Sequence, residues 1–322
     1  MPDNDRSSQV SRRKALQRGV TAAAGSIALA AQSGTAAAQS RPSSAGRRFR
    51  AFVRHGTTAS VEELKLLPIQ PREVVIRTEA SAPCYTITGN ALGANPARQA
   101  SIVNHSGVGV VEEVGPMVRR VQVGDRVIVP CTPQCGQCYS CLHGRPDYCA
   151  YLSVSPRPIA EMSDGTPVTA FLELGGITEI MVVKEEYCCP VFTDVPAAEL
   201  AQLADSFGTG LGTGMILAPI EAGSNVLIFG AGGVGLGAVQ AARIMAAGQI
   251  IVVEPIAYRR EIALKLGATT VLDPNAEGNN LAGKIRDLCK GPTDRIAAGG
   301  RRPLPDFNGA DFAIEAVGPD RL

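Results

Sequence analysis

Nine cysteines stand against three histidines in this 322-residue sequence, and five of those cysteines fall within residues 131–149. The stretch CGQCYSCLHGRPDYC spaces Cys135, Cys138, Cys141 and Cys149 as C-x2-C-x2-C-x7-C. Such short steps let one loop present several thiolates to one ion. The fourth thiolate returns after a turn built around Gly144 and Pro146. Four thiolates make a closed tetrahedral zinc site with no position left for substrate, which gives it a structural role. Disulfide bonding is the other use of such cysteines, and an oxidising compartment permits it. Three cysteines this close together make a poor disulfide framework, so zinc is favoured. Cys131 lies outside the pattern, and Cys188, Cys189 and Cys289 read as buried or incidental thiols.

A second stretch, VLIFGAGGVGLGAVQAARIMAAGQIIVVE, has the chemistry of nucleotide binding. Gly230, Gly232 and Gly235 form G-x-G-x-x-G between a strand-like run and a helix-like run. Gly230 permits a tight turn, Gly232 lets the backbone approach a pyrophosphate, and Gly235 lets helix and strand pack closely. Gly233 and Val234 complete the turn, at the helix end whose N–H groups attract phosphate. Glu254 closes the next strand-like run. A carboxylate there accepts hydrogen bonds from the adenosine ribose hydroxyls and repels a 2′-phosphate, which predicts NAD over NADP. Arg259, five residues on, opposes that preference. A bare glycine motif is weak evidence; with strand, helix and acid in place it is specific.

These groups need two kinds of scaffold. From Phe49 the chain runs in short β-rich segments, FRAFVRHG, REVVIRTEAS, GVGVVEEVG and DRVIVP, continued by ITEIMVV. Gly and Pro punctuate them closely, which predicts a barrel or sandwich. Residues 196–219 open after Pro196, are rich in Ala and Leu, and read as helical. From Asn225 strand, turn, helix and strand alternate, the pattern of a parallel doubly wound sheet. Residues 290–309 read as a long polar exposed loop. Composition is ordinary for a globular chain: 45% hydrophobic, 19% charged and net +1. No basic face interleaved with aromatics points to nucleic acid. Residues 1–38 look like an address: Arg12 and Arg13 precede an Ala-rich run, and Ala36, Ala37 and Ala38 form a cleavage-type site. The segment resembles a twin-arginine export signal. That implies a periplasmic destination, or a cytoplasmic one if the start is misassigned. The apolar run is too interrupted for a membrane anchor.

Together the four-cysteine lobe and the fingerprint, in this order and separation, resemble the medium-chain, zinc-dependent alcohol dehydrogenases. The resemblance covers about residues 48–322. It implies an α/β with β fold, a GroES-like β-barrel catalytic domain over 49–195 and an incomplete doubly wound Rossmann domain over 196–322. Residues 39–48 are a linker after the leader. It also implies a second, catalytic zinc held by Cys84 and His105, whose spacing of 21 residues fits the family. The third ligand position falls on Asp205, where the family usually has cysteine; oxygen donors bind zinc, so the resemblance implies Asp205 as a ligand, with a helix-capping or salt-bridged Asp as the other reading. Thr86 keeps the family's proton-relay hydroxyl. The acids that usually support the metal are replaced by Ile87 and Ser106, the relay histidine by Gly89, and a bulky pocket residue by Cys131. Tyr85 stands where the family often has a basic or small residue. The family continues beyond ADFAIEAVG, so the last strands and the usual dimer segment are expected to be missing. The implied function is oxidation of a small alcohol to an aldehyde or ketone with hydride transfer to NAD. The alternative is an impaired dehydrogenase fragment that binds zinc and nucleotide without turnover.

Overall fold

The computed structural model describes residues 43–85, 87, 97–152, 157–289 and 309–318. The leader-like segment 1–38, Thr86, Gly89 and most of the polar loop 290–309 lie outside the described residues. Ten strands come first: β1 (Arg48–Gly56), β2 (Thr58–Leu66), β3 (Glu73–Ala80), β4 (Ala97–Ile102), β5 (Gly107–Val114), β6 (Arg126–Val129), β7 (Pro158–Glu161), β8 (Pro167–Ala170), β9 (Ile180–Lys184) and β10 (Cys189–Pro190). β1, β2, β7, β8 and β4 close into a barrel, and β10, β6, β5, β3 and β9 form a five-stranded sheet.

Alternation explains the inner wall. In β1, Phe49, Ala51 and Val53 point inward, and Leu64 and Leu66 of β2 meet them from the paired strand. β3 breaks the alternation because both faces are covered. Val75 joins the barrel core, while Val74 and Ile76 enter a second core with Val111, Val127 and Met181. Between β6 and β7 the chain leaves the sheet to build the cysteine lobe, which contains the short helix α1 (Tyr139–Leu142). The Gln134 N–H donates to the Glu186 carbonyl, and Arg72 lies over the Tyr151 ring while pairing with Glu185 and Glu186. The lobe is thereby fastened at both ends.

The region expected to be one helical stretch is broken. It forms α2 (Ala197–Leu203), α3 (Ser206–Gly212) and a π-helical turn over Thr213–Leu217. The break is at Asp205, whose φ of −147° and ψ of −87° leave the helical region. Beyond it come β11 (Asn225–Phe229), α4 (Gly233–Ile244), β12 (Gln249–Val253), α5 (Ala257–Leu266), β13 (Thr270–Leu272), α6 (Pro274–Glu277), α7 (Leu281–Leu288) and β14 (Phe312–Glu315). The four strands are parallel in the order β13-β12-β11-β14. Strand order reverses beside β11, and the crevice at that switch point is where such sheets take ligands. The glycine turn follows β11 directly. Among the described residues no helix is long and apolar enough to cross a membrane.

Candidate functional site

Three separate elements supply one cluster. Cys84 lies in the loop after β3, His105 in the turn between β4 and β5, and Asp205 at the start of α3. One donor atom from each lies within 4.8 Å of the others. His105 Nε2 is 3.9 Å from Asp205 Oδ2. Donors at zinc bond lengths of about 2.0–2.3 Å form tetrahedral edges of roughly 3.3–3.8 Å, a spacing this set approaches. His105 and Asp205 are both buried.

Hydrogen bonding separates a ligand from a plain cap. An aspartate at a helix start usually accepts a backbone N–H. Asp205 caps nothing. Its Oδ1 accepts from the Thr209 hydroxyl at 3.3 Å, and its Oδ2 is buried with no hydrogen-bond partner. An orphaned buried carboxylate oxygen is costly unless something fills the gap. One thiolate, one carboxylate and a neutral imidazole carry two negative charges, which suit a divalent ion. The chemistry and spacing of the residues present therefore fit zinc.

The surroundings are less polar than the family pattern implies. Ile87 packs with Val103, Cys84 and Phe171, and the Phe171 ring centroid is 6.3 Å from that of His105. His105 Nδ1 and Ser106 Oγ are buried without hydrogen-bond partners. Sequence reasoning assigned Cys131 only to pocket shape. Its backbone N–H donates to the Ala204 carbonyl, next to Asp205. Burial and then the Asp205 charge push its thiol up to about 11, so it stays protonated at neutral pH. The proposed relay hydroxyl, Thr86, lies outside the described residues.

Cys135, Cys138, Cys141 and Cys149 bring their sulfurs within 4.8 Å of one another, and all nine cysteines are free of disulfides. Backbone N–H groups point at the sulfurs: Cys138 N lies 3.3 Å from Cys135 Sγ and Ala150 N lies 3.5 Å from Cys138 Sγ. The Ala150 N–H is the largest influence that lowers the Cys138 thiol to about 6, whereas burial raises Cys149 to about 11. Backbone N–H groups favour thiolate at Cys138, while burial disfavours it at Cys149. Cys188 is buried and pushed up to about 12 by that burial, as suits an inert core thiol.

At the fingerprint, Gly230 takes φ 87°, a left-handed turn that only glycine adopts freely. Gly232 has nothing within 4 Å of where a Cβ would stand, so that face is open to a ligand. A Cβ on Gly235 would collide with the Gly230 carbonyl, which is the close helix–strand approach expected of it. Val234 follows in the first turn of α4. Glu254 sits just past β12 and is buried. Its carboxylate accepts from the Ala231 N–H at 2.8 Å and the Ile256 N–H at 2.9 Å, contacts the sequence did not reveal. Arg259 Nη1 stands 3.9 Å from it.

Comparisons with known proteins agree with this geometry. Residues 70–193 match the alcohol dehydrogenase GroES-like domain, and residues 233–322 match the zinc-binding dehydrogenase domain. The S-(hydroxymethyl)glutathione dehydrogenase of Paracoccus denitrificans is 31% identical over 273 residues, covering 82% of this chain and 69% of that protein. A probable alcohol dehydrogenase of a Pseudomonas species is 32% identical over 249 residues, 74% of this chain and 72% of that one. The crystal structure of benzyl alcohol dehydrogenase from Acinetobacter calcoaceticus superimposes with a TM-score of 0.67 at 27% identity, over 85% of this chain and 71% of that one. With two donor sets of the required chemistry and a dinucleotide turn at the switch point, the chain belongs to the medium-chain, zinc-dependent alcohol dehydrogenase family and is an oxidoreductase by lineage.

Proposed function

We propose that the chain oxidises a small alcohol to an aldehyde or ketone, passing the hydride to NAD. The convergence of Cys84, His105 and Asp205 beside the dinucleotide helix carries this reading. Cys84, His105 and Asp205 would hold the catalytic zinc, and the four-cysteine lobe a structural one. Bound zinc supplies a Lewis acid for the substrate oxygen, and bound nicotinamide accepts the hydride. The chain's own residues do the rest. The unpartnered Asp205 oxygen and the thiolate set the charge of the site. Phe171, packed with Ile87 and Val103, sets an apolar wall beside His105. Thr86 is the hydroxyl proposed to pass the substrate proton outward. Glu254 fixes the phosphate turn through Ala231 and keeps a negative charge at the end of β12, where it would repel a 2′-phosphate, which supports NAD.

The alternative is a protein that binds zinc and nucleotide without turnover. The bare Nδ1 of His105 and the orphaned Ser106 hydroxyl favour it, because lost support of a metal ligand costs about 10–100-fold in affinity or activity. Zinc counted per chain, together with NADH formation from benzyl alcohol and S-(hydroxymethyl)glutathione, separates the two. The dehydrogenase reading expects two zincs and turnover; Asp205→Ala keeps one zinc and loses turnover, and Cys138→Ser loses the other and destabilises the fold. Two zincs with no turnover of any alcohol establishes the alternative. One zinc in both the native protein and Asp205→Ala removes Asp205 from the ligand set. We also propose that the chain is exported by a twin-arginine route, as Arg12 and Arg13 suggest.

A further inference from the structure

α3 and α4 pack closely, glycine against backbone. α3 begins one residue after Asp205, and α4 begins at the phosphate turn. A Cβ on Gly210 of α3 would collide with the Val234 carbonyl and lie 2.8 Å from the Ala238 nitrogen. A Cβ on Gly237 of α4 would collide with the Phe207 carbonyl and lie 3.1 Å from the Leu211 nitrogen. A Cβ on Gly233 would lie 2.9 Å from the Ser206 Cβ. Helices carrying ordinary side chains pack about 8–10 Å apart. Here the layer of side chains is missing, so backbone rests on backbone. A close-packed contact of this kind leaves no slack and transmits displacement.

The position of this seam matters. Its α4 end is the turn whose open Gly232 face takes the pyrophosphate. Its α3 end is Ser206, joined to Asp205 by a single peptide bond. Metal donors must be held to within about 0.5 Å of their working geometry. Asp205 has a non-helical backbone and is tied to α3 itself, its carbonyl accepting from the Thr209 N–H and its Oδ1 from the Thr209 hydroxyl. The Cys131 N–H bond to the Ala204 carbonyl holds the chain on one side of Asp205, and the seating of α3 on the dinucleotide helix holds it on the other.

We infer that Gly210, Gly233 and Gly237 are positioning residues for the metal centre: they seat α3 on α4 so closely that Asp205 and the phosphate turn move as one piece, and occupation of either site strengthens the other. The inference rests on the reading of Asp205 as a ligand. Linkage requires the effect to be mutual and equal in size.

The test uses the full chain with its four-cysteine site filled. Zinc affinity of the second site is measured by competition with a chelator, with and without saturating NAD+, and NAD+ affinity is measured with and without the second zinc. Each ligand is expected to tighten the other by at least ~5-fold. Gly233→Ala pushes on Ser206 and is expected to weaken second-site zinc about 10–100-fold in the absence of NAD+, with the four-cysteine zinc and thermal midpoint unchanged. Adding Ser206→Gly returns the space and restores zinc affinity. Loss of NAD+ binding alone would not count, because Gly233 also lies in the phosphate turn. Independent binding of zinc and NAD+ in the native chain overturns the inference, as does a Gly233→Ala effect that Ser206→Gly fails to reverse. Asp205→Ala separates the two ideas. If it retains two zincs, the ligand reading has failed. If it loses one while Gly233→Ala binds zinc normally, only the coupling has failed.

Discussion

Cys131 stands beside Asp205, its backbone N–H bonded to the Ala204 carbonyl, and its side chain is small. Burial raises its thiol, so it offers chiefly volume to a neighbouring group. Filling that volume is expected to discriminate by size. Cys131→Phe should raise KM for benzyl alcohol at least ~10-fold relative to ethanol, the scale on which methylene-sized changes in apolar pockets act. Zinc content should not change. An equal effect on both alcohols would mean that Cys131 does not line the substrate path. At this scale the sequence was legible wherever ligands are neighbours in the chain. Cys135, Cys138, Cys141 and Cys149 announce themselves through spacing, and Gly230, Gly232 and Gly235 through pattern. Asp205 was legible only through family resemblance, since nothing local distinguishes it from a helix cap. What distinguishes it is an unpartnered oxygen facing a histidine exactly one hundred residues away in sequence, a contact no local pattern records.

Elements explain why other features stayed hidden. Residues 196–207 carry a helical composition before the glycines at 208, 210, 212 and 214, and the interruption at Asp205 has no adjacent Gly or Pro to announce it. It exists because α3 is seated on α4 by tertiary packing, which overrides propensity. β2 was missed for a related reason. TASVEELKL buries only Leu64 and Leu66 at its end, so most of the strand reads as polar surface. β12 and its carboxylate were legible, but the partners of Glu254 were not. The Ala231 and Ile256 N–H groups give Glu254 a second role, tying the phosphate turn to the end of the strand. The two roles can be separated. Glu254→Gln keeps one of the two acceptors, enough for the Ala231 N–H of the turn, and removes the charge that repels a 2′-phosphate, leaving Arg259 free to attract it. The native protein should prefer NAD over NADP by at least ~10-fold, about 1.4 kcal/mol, and Glu254→Gln should reduce that preference by a similar factor. Titration of both nucleotides into both proteins checks this. An unchanged ratio would place the discrimination elsewhere.

For the whole molecule, the proposed export and the metal chemistry constrain each other. Four cysteines reaching the periplasm unfolded and metal-free would meet an oxidising environment that forms disulfides. Zinc bound in the cytoplasm keeps them as thiolates and contributes folding free energy before translocation. A twin-arginine route, which carries folded proteins, is the one that preserves such a site. The cofactor is under the same constraint, because free NAD is scarce outside the cytoplasm. A periplasmic dehydrogenase must carry its nicotinamide with it, tightly held, and meet a second substrate that reoxidises it in place. Mutual strengthening of zinc and NAD binding through α3 and α4 would serve that retention. Replacing Arg12 and Arg13 together by lysine is expected to leave the protein in the cytoplasm, with its zinc content unchanged. Protein recovered from the periplasm should retain NAD through gel filtration. Periplasmic recovery of the double-lysine variant would reject the export proposal. Periplasmic native protein that is free of nucleotide, with activity restored only by added NAD, would reject the carried-cofactor argument and leave the zinc-first order of folding and export to stand on its own.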